Sequence, residues 1–206
     1  MKMAIKISGT TVIDDSRNLT NINSLAEATW EAGTSTTETV VSPAKVKAAI
    51  EALGATATEV SEVATTSGTA VNIITGIPSG VNKIELYIRS ITLGVADYIV
   101  IQLGTSGGFV TTGYAGGITQ GGAGLSISTG LGLVYSTSTT LATINSGTMN
   151  IHRVPGTNRW VAGSQVYLSS AGSSILLGSD LTQLRVTTDA GTATFSSGAI
   201  SARYYT

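Results

Sequence analysis

From about Ser67 to its last residue the chain is written in short runs of alternating apolar and polar side chains, broken by glycine turns. KIELYIRSI places Ile84, Leu86 and Ile88 on one face, and YIVIQL, TMNIHRV, RWVAGSQVYL, LTQLRVTT and ATFSSGAISARYY continue the series. A period of two is the mark of a half-buried strand. Pro155 and Gly156 in PGTN, and the DAGT from Asp189 to Thr192, supply turn chemistry between such runs. Roughly eight short strands at this spacing predict an antiparallel β-sandwich, jelly-roll-like, over residues 67–206. Arg203, Tyr204 and Tyr205 read as the final strand that seals it.

Residues 1–66 read as a small strand-and-helix segment. Residues 3–13 alternate loosely around Gly9, as a short hairpin does. In NINSLAEATWEAG, Ser24 and Glu27 have the spacing of a capping box and Gly33 is a stop signal. The clearest element is a helix over 43–53, with Ser42 suited to the N-cap, Pro43 to the first turn and Gly54 to the position past the last. Its stripe of Val46, Ala49, Ile50 and Leu53 runs on in steps of four and three through Ala57, Val60 and Ala64, like the a and d positions of a short coiled coil. So short a helix is not stable alone. The stripe is therefore buried either on the chain's own β domain or against other chains.

Charge narrows the partners. Lys and Arg total 11 against 12 for Asp and Glu, a net of −1 with no run of either sign. That leaves no footprint for nucleic acid or an anionic membrane surface. Only 11% of residues are charged, where about 25% is usual, so Gly, Ser and Thr fill much of the surface. The absence of Cys removes disulfides, thiolate metal sites and thiol nucleophiles together. No run of about 18 apolar residues predicts a membrane span, and MKMAIKISGTTVIDD lacks an apolar stretch of signal-peptide length.

The catalytic inventory is thin. The acids after residue 67 are Glu85, Asp97, Asp180 and Asp189, whereas glycoside hydrolysis uses two carboxyls about 5 to 9.5 Å apart in a cleft. Asp189 reads as a turn residue and Glu85 as an outward strand position. His152, the one histidine, lies between Ile151 and Arg153 with no motif for a triad or a zinc site, and reads as a polar-face or inter-chain residue. Asp14 and Asp15 adjoin, and neighbouring strand side chains point apart. The GTSGG from Gly104 and the GGAG from Gly121 have no Lys-Ser/Thr to make a phosphate loop. No catalytic residue, metal or cofactor is expected. Recognition suits the chain better, since loops on a rigid β scaffold carry binding. Residues 105–124 read as the longest irregular insert, with Phe109, Tyr114 and Gln120 as its informative side chains. Asn158 and Trp160 beside the PGTN turn complete the candidate contact set, with burial in a core or interface as the alternative for Trp160.

Three stretches resemble bacteriophage tail-fibre proteins: IKISGTTVIDDSRNLTNI; AGTSTTETVVSPAKVKAAI; and GIPSGVNKIELYIRSIT with VIQLGTSGGFVTTGY and LRVTTDAGTATFSSGAISARYY. Together they cover nearly the whole chain. The resemblance implies a parallel homotrimer of the virion tail, assembled in the host cytoplasm. Its N-terminal segment would attach to other tail or baseplate proteins, and its C-terminal module would meet a glycan or protein of the host surface. There is no extended shaft repeat, which implies a short fibre or the terminal piece of a composite one. The expected function is host attachment by multivalent adhesion. A purely structural baseplate or fibre connector and a polysaccharide-degrading tail enzyme are the alternatives. In this frame Val46, Ile50 and Leu53 become the expected trimerisation contacts. Polar replacement of Ile50 and Leu53 is then expected to lower the mass of the assembly in solution while the β module stays folded. A stripe packed on its own domain predicts the opposite pattern, a less stable module with unchanged mass.

Overall fold

The computed structural model describes residues 5–7, 10–13, 43–54, 56–136 and 145–206. Contacts group the chain into two compact units, Met1–Thr56 and Ala57–Thr206. In the first, β1 (Ile5–Ile7) and β2 (Thr10–Ile13) pair antiparallel with Ile7 opposite Thr10, the hairpin expected there. The helix α1 spans Pro43–Leu53, as its punctuation predicts. The Gly54 N–H donates to the Ile50 carbonyl at 2.9 Å, and a Cβ on Gly54 would stand 2.7 Å from that oxygen, so only glycine fits the stop. On the stripe, Val46 is 44% and Ile50 66% exposed. Ser42, the Ser24–Gly33 segment, Asp14, Asp15 and the Leu53 side chain lie outside the described residues.

The second unit is mainly β, two antiparallel sheets packed as a sandwich. The larger has eight strands in the spatial order β3 (Ala57–Ala64), β15 (Phe195–Tyr205), β5 (Lys83–Leu93), β11 (Gly147–Arg153), β12 (Arg159–Val166), β13 (Ser169–Leu176), β8 (Ala115–Gln120) and β9 (Ala123–Ile127). The smaller has five: β10 (Leu131–Ser136), β6 (Asp97–Thr105), β14 (Gln183–Thr188) and β4 (Ala70–Thr75) in that order, with β7 (Gly108–Phe109) paired to β6. The alternation of β5 holds: Ile84, Leu86 and Ile88 are buried, in one core with Ile99, Ile101 and Leu103 of β6 and Leu184 and Val186 of β14. Burial of such side chains contributes roughly 1.5 to 3 kcal/mol each. The closing strand runs to Tyr205, with Tyr204 packed against the core.

Two local expectations change. The four-three stripe does not continue as helix, because Ala57–Ala64 is strand β3, paired to β15 with Val60 opposite Ala202 and Val63 opposite Ile200. Val60 and Val63 pack against the core, while Glu59 and Glu62 pair with Arg203 and Arg89. The β unit thus begins at Ala57, before the composition shifts at Ser67. Residues 105–124 are likewise no irregular insert. They hold β7, β8 and the start of β9, and Gly121–Gly122 closes the β8–β9 hairpin with φ of 59° and 88°, as a two-residue turn requires.

The two sheets also meet at an edge. β10 ends the smaller sheet, and an edge strand carries unpaired backbone groups. Here the Ser164 hydroxyl of β12 donates to the carbonyls of Gly132 (3.2 Å) and Leu133 (3.0 Å), and the Gly132 N–H donates to Ser173 Oγ of β13 at 3.0 Å. Gly132 has no room for a side chain, since its Cβ would lie 2.6 Å from Ile118 Cγ1. Ser173→Ala strands the buried Gly132 N–H, at a cost of about 1 to 3 kcal/mol. The melting temperature should fall by several degrees, whereas Ser170→Ala, an exposed position on the same strand, should leave it unchanged.

Candidate functional site

Because alternation sends Ile99, Ile101 and Leu103 into the core, Tyr98, Val100 and Gln102 of β6 face the other side of the smaller sheet. Val100 is not exposed there. It forms a second apolar cluster with Ile118 of β8 and Ile127 of β9, and Tyr98 packs against it. The far end of the larger sheet thus hooks over β10 and covers part of this outer face.

Where the hook ends, a pocket opens. Tyr98 and Tyr135 are register partners on β6 and β10, with ring centroids 4.4 Å apart and planes tilted by 34°. They line a cavity of about 300 Å³ with Ile118, Gln120 and Ala123. Gln120 is the last residue of β8, and its Oε1 is buried with no hydrogen-bond partner among the described residues. Such an acceptor stays costly until something donates to it. Aromatic faces, an aliphatic wall and the Gln120 side chain at the rim suit a flat ring that carries hydroxyls.

Of the contact residues expected from sequence, only Gln120 lines this pocket. Tyr114 is 4% exposed and belongs to the core, not to a binding loop. Its hydroxyl accepts from the Leu103 N–H at 2.9 Å and donates to the Val110 carbonyl at 3.0 Å, and burial pushes its pKa up to about 12. Trp160, 2% exposed, takes the core alternative. Phe109 is half-buried on β7, under the guanidinium of Arg185 at 4.3 Å. Asn158 holds a turn, its Oδ1 accepting from Arg153 at 2.6 Å. Tyr98 and Tyr135 were not singled out from sequence. The signal was available in YIVIQL, where Tyr98 has the parity opposite to Ile99 and Ile101.

The acids each have a partner within the fold. Asp97 Oδ1 accepts from the Tyr98 N–H at 2.7 Å, Asp180 pairs with Arg153 at 3.5 Å, and Asp189 accepts from the Thr129 hydroxyl. Glu85 takes Lys83 at 2.7 Å, Tyr205 at 2.8 Å and Tyr87 at 2.9 Å. Those hydrogen bonds, Lys83 first, hold its carboxyl at about 2. His152 is exposed on its strand, and among the described residues no three His, Cys, Asp or Glu converge on one point.

The fold and this pocket define a β-sandwich with a candidate ligand-binding face on its smaller sheet. Comparison with protein-family models, with curated proteins and with solved structures gave no match. Tyr114→Phe, which removes the hydroxyl but keeps the ring, should cost about 1 to 3 kcal/mol in thermal or denaturant unfolding. It should leave ligand binding at the tyrosine pocket unchanged, which separates the structural role of Tyr114 from a contact role.

Proposed function

We propose that the protein is a bacteriophage tail-fibre subunit that attaches to the host surface by holding a glycan in the Tyr98–Tyr135 pocket. The observation that carries this reading is the tilted pair of Tyr98 and Tyr135 in a cavity that Gln120 also lines. A sugar ring stacks on an aromatic face and offers hydroxyls to a polar side chain such as Gln120 at its edge. The sequence resemblance to tail fibres gives the biological setting.

Trimerisation through α1 is part of the same proposal. Val46 and Ile50 leave much of their apolar surface in water on a single chain, and a stripe of that kind gains from burial against its own copies. Three copies of a weak pocket on one fibre, and several fibres on one particle, raise avidity far above any single contact. Residues 1–56 would then assemble and attach, and the sandwich would recognise.

Binding of the purified chain to host cells and to isolated host polysaccharide tests the pocket. Gln120→Ala removes an acceptor that has no hydrogen-bond partner among the described residues, so the melting temperature should hold or rise while affinity drops about tenfold, the worth of one hydrogen bond. Tyr135→Ala should lower affinity by a similar factor. Both variants binding like the native chain would remove this pocket from the receptor site.

A further inference from the structure

We propose that a second pocket on the same outer face, built around Arg185, binds the carboxylate of an acidic sugar. Arg185 and Gln102 are register partners on β14 and β6, and with Thr69, Thr129, Thr187 and Asp189 they line a cavity of about 300 Å³. The guanidinium is fixed before any ligand arrives. Its Nε and one Nη donate to the single oxygen Gln102 Oε1 at 2.9 and 2.7 Å, and the Gln102 amide is anchored by donating to the Thr129 carbonyl at 2.8 Å. Phe109 backs the cation, with its ring centroid 4.3 Å from the guanidinium carbon.

What this arginine lacks is an anion. Arg89, Arg153 and Arg203 each pair with a carboxylate, whereas among the described residues Arg185 pairs with none. A half-buried guanidinium whose only acceptor is a neutral amide keeps uncommitted N–H donors, and the planar fork matches a carboxylate in two-point contact. A second charged group in the lining sets the class of ligand. Asp189 lines the same cavity, so one positive and one negative group face the occupant. A doubly charged phosphate would meet one cation and one repelling carboxylate. A singly charged sugar acid can place its carboxylate at Arg185 and donate ring hydroxyls to Asp189. The hydroxyls of Thr129 and Thr187 donate to Asp189 and to the Thr69 carbonyl, which leaves their oxygen lone pairs able to accept from the same ring.

This inference extends the attachment reading to a different pocket, and its test keeps the two apart. The full chain is titrated with glucuronate, galacturonate, glucose and inorganic phosphate, and binding is followed by calorimetry or chemical-shift changes. At least one uronate should bind at least tenfold more tightly than glucose and than phosphate. Arg185→Gln should weaken that uronate tenfold or more. Arg185→Lys, which keeps the charge but not the fork, should weaken it by a smaller factor, and Tyr135→Ala should leave it unchanged. Binding of neither uronate, equal binding of glucose or phosphate, or an Arg185→Lys variant that holds the uronate like the native chain would each overturn the proposal. A native chain that binds host polysaccharide but neither uronate removes the Arg185 pocket alone, and a chain that binds a uronate while Gln120→Ala and Tyr135→Ala leave polysaccharide binding intact removes the tyrosine pocket alone.

Discussion

Two serine hydroxyls hold together the place where the sheets of this sandwich meet edge to face. Ser164 and Ser173 are both buried, and they bond backbone groups of β10, the last strand of the smaller sheet. A hydroxyl is short and neutral and both donates and accepts, so it can replace a missing ladder without forcing the strands apart. With Gly132 offering no side chain, the larger sheet can pass close over β10 and continue to the other side. The covered Val100, and the tyrosine pocket beyond it, both follow from that passage. Small side chains that look featureless in sequence are therefore a geometric requirement.

Charge is scarce in this chain, and much of what the sandwich has is spent on one seam. Glu59 with Arg203 and Glu62 with Arg89 join β3 to β15 and β5 across the outer face of the larger sheet, and Glu85 gathers Lys83, Tyr87 and Tyr205 beside them. Such exposed pairs add little stability each, yet their positions fix the register of an edge strand whose inward residues are only Val60 and Val63. The outer face of the smaller sheet is different in kind. It carries the tyrosine pair and the fixed cation of Arg185, and Gln120 of the overhanging β8 adds a carbonyl with no partner among the described residues.

Strands with large aliphatic residues were legible in the sequence, and strands without them were not. Ile84, Leu86 and Ile88 announce β5 by their spacing, and the caps of α1 announce its bounds. AGGITQ of β8 and SSAGSSIL of β13 carry too few large apolar residues for a period to show. Their strand state comes from pairing with one another across the sheet, a non-local fact. The same gap made residues 105–124 read as a loop and so drew Tyr114 into a contact role, when its ring fills the core. Gln120 reads as a loop residue in sequence, and in the fold it is the last residue of β8, at the pocket. The coiled-coil reading of Ala57, Val60 and Ala64 fails because they lie on a strand whose register shift, between the partners of Ile200 and Ala202, turns Val60 and Val63 inward and leaves Ala57 and Ala64 exposed.

One wall of the tyrosine pocket is a hairpin tip. Gln120 and Ala123 flank the Gly121–Gly122 turn, and β9 ends the larger sheet, with β8 as its neighbour. Most of its residues are exposed, with Ile127 as its buried anchor. Elements held so lightly open at lower free energy than the sheet behind them. An occupant that touches Gln120 on one side and the tyrosines of β6 and β10 on the other bridges the hairpin to the rigid sheet. A filled pocket would then have a time signature as well as an affinity, since the amides of β9 would exchange with solvent more slowly than in the empty chain.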